Sequence, residues 1–113
     1  MAGKINKIGV YKDYIYVIVD MNLGFENWRN GYVKLKDDSK FLNKEYDEYP
    51  LYNIECNGGI TFKDTDISLF GEGTYIGFDT MHYFDDENSR KIENIEKNCK
   101  SIIEQLILLE NED

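Results

Sequence analysis

The stretch from Thr74 to Glu110, TYIGFDTMHYFDDENSRKIENIEKNCKSIIEQLILLE, changes its period part-way along, and that change decides the fold. Up to Asp79 it reads as a strand, with Tyr75, Ile76 and Phe78 among small and polar neighbours. The acids and caps of DDENS then supply a helix start. Beyond them Ile92, Ile95, Cys99, Ile102, Leu106 and Leu109 recur at spacings of three and four, with Glu, Lys and Asn between them. Those spacings put the apolar residues on one helix face. One long helix over 89–110 is predicted, with Cys99 and Ile102 buried against a sheet. A coiled-coil partner is the weaker alternative, because under three heptads is short for one.

Upstream the pattern is that of strands. Tyr14 to Asp20 is dense in Val, Ile and Tyr, with a shorter strand expected before Lys12. MNLGFENWRNG shows no clear period and reads as a loop, or one helical turn, carrying Trp28 and Arg29. YVKLK alternates as a strand again. The Tyr-rich segment around Pro50 reads as an irregular excursion, with a short strand near Tyr52 to Cys56. GITFK and ISLF are two further expected strands, GEG a tight turn and TYIGFD the last strand, forming an antiparallel meander over 59–79. The expectation is a single α+β domain over 1–113: an antiparallel β-sheet, with strands and loops over 8–86, and one long C-terminal α-helix packed on one face.

Composition narrows the function. Apolar residues make up 42% of the 113-residue chain, enough for one packed core. The net charge of −9 disfavours holding a DNA or RNA backbone by general attraction. It leaves open a small anion in a local pocket, or an acidic surface that imitates nucleic acid. Cys56 and Cys99 have no zinc spacing and read as small core residues with reduced thiols. No signal peptide is legible in MAGKINKIGVYKDYIY, and no run approaches the ~18 apolar residues of a membrane helix. A cytoplasmic protein with no membrane association is expected.

Three clusters carry chemistry. The chain's one histidine, His82, stands three residues from both Asp79 and Asp85. A carboxylate beside an imidazole suits acid–base work or a divalent cation, or simply a hydrogen-bonded turn. No nucleophile motif and no HExxH-type pairing accompanies it. NGGIT, Asn57 to Thr61, has paired glycines (Gly58 and Gly59) that expose backbone N–H groups, or merely make a turn. NWRNGY, Asn27 to Tyr32, places Trp28, Arg29 and Tyr32 together, able to stack on a base and pair with a phosphate, or to act as a buried Trp with a surface Arg.

RNGYV, NGGITF, TYIGFDTMHYFD and IENIEKNCKSIIEQL stand in this order. Together they resemble a group of small uncharacterised bacteriophage and prophage proteins. Its pattern runs R-C-G-Y-V, H-G-G-[IL]-T-[YF], W-[WF]-[IF]-G-F-D-C-x-H-x-x-D, then a helix. Arg29, Gly31, Tyr32, Gly58, Gly59, Thr61, Gly77, Phe78, Asp79, His82 and Asp85 match that pattern. Asn57 stands for its first histidine, Thr80 for its cysteine, and Tyr75 with Ile76 for its aromatic pair. A His/His/Cys/Asp constellation would thereby lose two members, which weighs against a small metal-dependent hydrolase.

The resemblance implies a phage setting, in the host cytoplasm, and by analogy a role against host defence. The expected function is a non-enzymatic sponge for a small nucleotide-like immune signal, without cofactor or metal. Its ligand-binding residues would be Trp28, Arg29, Tyr32, Asn57, Gly58, Gly59, Tyr75, Asp79 and His82, in a homo-oligomer. The alternative is an acidic inhibitor of a host defence protein, such as a CRISPR nuclease.

Overall fold

The structure is a computed structural model and describes residues 3–112. Five strands form one antiparallel sheet: β1 (Gly3–Tyr11), β2 (Tyr14–Asn22), β3 (Asn27–Lys34), β4 (Phe62–Thr65) and β5 (Thr74–Asp79). Their spatial order is β1-β2-β3-β5-β4. A single helix, α1 (Ile92–Glu110), packs on one face against β2 and β3. The α+β architecture is the one the change of period implies.

Alternation within the strands sorts the side chains between two faces. On the helix face, Ile18, Val33, Ile76 and Phe78 meet Ile95, Cys99, Ile102, Ile103 and Leu106, all nearly inaccessible to water. Gly31 makes this contact possible. A Cβ there would lie 2.5 Å from the Phe78 ring and 2.9 Å from Cys99 Sγ. On the far face, Val17, Val19, Tyr32 and Tyr75 form a second core cluster, capped by Ile67, Leu69 and Phe70.

Five local expectations are corrected. The segment 21–31 is no loop, because Asn22 pairs with Asn27 and β3 begins there, leaving only Leu23–Glu26 as the turn. The short strand expected over 52–56 is a 3₁₀ turn, Leu51–Asn53, which buries Leu51. ISLF is not a strand. Asp66 takes a left-handed φ of 55°, and Asp66 and Gly73 close a loop over which Ile67, Leu69 and Phe70 fold back as the far-face cap. The helix begins at Ile92 rather than Ser89, because Asp86 and Ser89 bond each other reciprocally at 2.9 Å and close a separate turn. Cys56 is only half-buried, against the core that holds Cys99.

β1 is a nine-residue edge strand. It carries Lys4 and Lys7 and a register break between Ile5 and Lys7, devices that discourage further strand pairing. Lys7 and the Tyr16 hydroxyl both donate to Glu96 on α1, and Tyr11 donates to Glu104 at 3.0 Å. Among the described residues no helix is long and apolar enough to cross a membrane.

Candidate functional site

The fold divides the expected site into separate neighbourhoods. At the C-terminal end of β5, the Asn57–Gly58 turn, Asp79 and the loop through His82 and Asp85 come together. Asp79 ends the strand and accepts from the Met81 N–H at 2.9 Å and the Thr61 hydroxyl at 3.1 Å. The centre of the cluster, however, is Asp85, whose side chain has no exposed surface. It accepts from the His82 backbone N–H at 2.9 Å and the Asn57 amide at 2.9 Å. The His82 ring lies 2.9 Å away through Nδ1. A carboxylate can only accept, so Nδ1 carries the proton. Burial by itself pushes the Asp85 carboxyl upward, yet hydrogen bonds from His82 and Asn57 outweigh it and hold the group below its ordinary value.

His82 is confined on two sides. A Cβ at Gly58 would fall 2.3 Å from its Cε1, and Gly58 itself has φ +74°. Phe84 stacks on the ring, with centroids 4.9 Å apart and planes 9° from parallel. The Asn57 N–H donates to Asn98 Oδ1 at 3.0 Å, fastening the assembly to α1. The arrangement is a clasp joining two loops, a strand end and the helix. Among the described residues no group of three or more His, Cys, Asp or Glu side chains is placed to hold a metal ion. The neighbouring Cys56 thiol is pushed up to about 12 by burial, which keeps it protonated and poorly nucleophilic.

The stacking residues do not meet. Trp28 and Arg29 are consecutive on β3 and therefore point to opposite faces. Tyr75 pairs with Lys34, six residues along β3 from Trp28, a separation of about 20 Å. Tyr32 and Tyr75, expected to line a ligand, are core residues at 4% exposure, covered by Phe70. Gly59 bonds back to the Cys56 carbonyl and makes a turn with φ +80°.

Arg29 instead meets Arg90. These two arginines line a cleft of about 330 Å³ with Asp20, Asn22, Asn27 and Trp28. Arg29 Nε donates to Asp20 at 2.8 Å and Nη1 to the Arg90 carbonyl at 2.9 Å. Arg90 Nε donates to the Thr80 carbonyl at 2.8 Å, and its Nη2 lies 3.7 Å from Glu26. The Thr80 hydroxyl locks the same corner, donating to the Arg29 carbonyl at 2.8 Å. Each guanidinium is thus oriented by a main-chain carbonyl, leaving other N–H edges toward the cleft. Neither Arg90 nor Asp85 is among the residues expected to bind the nucleotide-like ligand. The one sequence signal for Arg90 was that it and Arg29 are the only arginines in an acidic chain.

No protein-family model, no curated protein and no solved structure matches the chain.

Proposed function

We propose that this chain is a non-enzymatic binding protein that sequesters a small nucleotide-like anion in the Arg29–Arg90 cleft, as a phage counter-defence sponge. The observation that carries the reading is the convergence of both arginines on one cleft in a chain of net charge −9. Guanidiniums already oriented by carbonyls lose little freedom when a phosphate arrives. The phage setting follows the sequence resemblance alone. The cleft is open, so a second copy is proposed to complete the enclosure of a ligand. Trp28 would stack on the ligand only from the rim, since its side chain faces the far side of the sheet.

The clasp supports the non-enzymatic part of the proposal. Asp85 and Asn57 are engaged by one another and by the main chain, so they serve to fix loops. Calorimetry against cyclic dinucleotides and cyclic ADP-ribose isomers tests the function. Heat with one member, lost in Arg90→Ala, is expected; silence across the panel with folded protein refutes it.

A second reading rests on a different surface. Tyr46, Tyr49 and Tyr52 are exposed beside Glu45, Asp47 and Glu48 on the irregular excursion. Carboxylates with interleaved rings imitate phosphates and bases, and would suit a basic groove on a host nuclease. Binding to such a nuclease would weaken steeply with salt, and would fall when these acids are neutralised rather than when Arg90 is changed.

A further inference from the structure

Each guanidinium of the cleft already faces a carboxylate, and the two carboxylates are held differently. Asp20 lies on β2 directly opposite Arg29, fixed by sheet register, at 2.8 Å. Glu26 lies on the turn between β2 and β3, and its Oε1 reaches Arg90 Nη2 only at 3.7 Å. That is longer than a charge-assisted hydrogen bond. The Glu26 side chain is 40% exposed. Its turn is small: the Leu23 N–H bonds to the Glu26 carbonyl, and Gly24 takes φ +90°. The neighbouring Phe25 is 85% exposed, so the turn is not packed down by its own apolar residue.

We infer that Glu26 is a built-in competitor for the anion subsite at Arg90, and that it restricts the cleft to phosphate ligands bearing at least two negative charges. This rests on the reading of the cleft as an anion site. A monocarboxylate that displaced Glu26 would exchange one carboxylate for another, against a rival tethered at high effective concentration. A ligand with two phosphate charges, as in a pyrophosphate or a pair of phosphodiesters, carries more charge and more acceptor oxygens, and can engage Arg29 and Arg90 together. Asp20 stays in place and orients Arg29, while the Glu26 side chain swings out to solvent.

The test is calorimetry at low salt with inorganic pyrophosphate and with acetate, on the wild-type chain and Glu26→Gln. The substitution lies on an exposed turn, and equal melting temperatures confirm that both are folded. Wild type should bind pyrophosphate and not acetate. Glu26→Gln should bind pyrophosphate about threefold to fivefold tighter, the range expected when one exposed ion pair no longer competes. Equal pyrophosphate affinities in the two proteins, or acetate binding wild type as well as pyrophosphate does, would overturn the inference. If pyrophosphate binds with the expected gain and no nucleotide binds, the nucleotide reading falls and the competitor stands. If neither protein binds pyrophosphate, both fall.

Discussion

The clasp around Asp85 and the cleft between Arg29 and Arg90 lie at the same end of the sheet, and they use polar groups in opposite ways. In the clasp the donors converge on one carboxylate with no exposed surface. In the cleft each guanidinium is steadied by a carbonyl on one edge and faces solvent-accessible space on another. Fully partnered groups hold a structure together, whereas partly partnered, pre-oriented groups can take a ligand. The His–Asp pair, which looks most like chemistry in the sequence, is bonded within the clasp, with the Asp85 carboxylate enclosed and the His82 ring 25% exposed.

The largest effect that would break this contrast is at Asp85. Asp85→Ala should cost about 3 kcal/mol in urea unfolding, because it leaves the His82 N–H without a partner and the Asn57 amide with only the Asp79 carbonyl, in a part-buried place. A loss under about 0.5 kcal/mol would show that the clasp is not a structural hub. Gly58→Ala should follow at about 2 kcal/mol, from the positive φ and the clash with the His82 ring. A crystal structure of that variant should show His82 displaced; an unmoved ring with unchanged stability contradicts the packing described.

Acid should reveal the same hub. The folded Asp85 carboxyl titrates below the ordinary 3.8, so the unfolded chain binds the proton more readily. Its contribution to stability is complete above that unfolded value and is lost as pH falls through the folded one. Melting temperatures between pH 6 and pH 2 should drop, and Asp85→Asn should flatten the drop below about pH 4. Parallel curves for the two proteins would remove Asp85 from the acid response.

The helix and its sheet were legible because their side chains repeat: Ile95, Cys99, Ile102 and Leu106 follow one face, and every one is buried. β3 was partly hidden because Gly31 stands where an apolar residue would have marked the helix face, its smallness making room for Phe78 and Cys99. ISLF carries a strand's composition but covers the far face from a loop, which only the register of β4 against β5 decides. For the site, the closeness of Asp79, His82 and Asp85 could be read from spacing. The convergence of Arg29 on Arg90 could not, since it joins residues 61 apart through the turn at Thr80. The burial of Tyr32 and Tyr75 was equally invisible, because an exposed and a capped sheet face have the same alternation.

The smallest expected effect is at His82 itself. His82→Ala removes the ring but leaves its backbone N–H, so Asp85 keeps that donor and the Asn57 amide. The ring is partly exposed at 25%, and what it adds is one hydrogen bond and a stack on Phe84. A net hydrogen bond and a surface aromatic contact together suggest a loss of roughly 1 kcal/mol in urea unfolding, against about 3 for Asp85→Ala. Binding in the arginine cleft should be nearly unchanged, because no hydrogen bond joins the His82 ring to Arg29 or Arg90 among the described residues. If His82→Ala were as costly as Asp85→Ala, the imidazole and not the carboxylate would be the hub. If it abolished ligand binding while stability held, the two neighbourhoods would be one site and the contrast between them would fail.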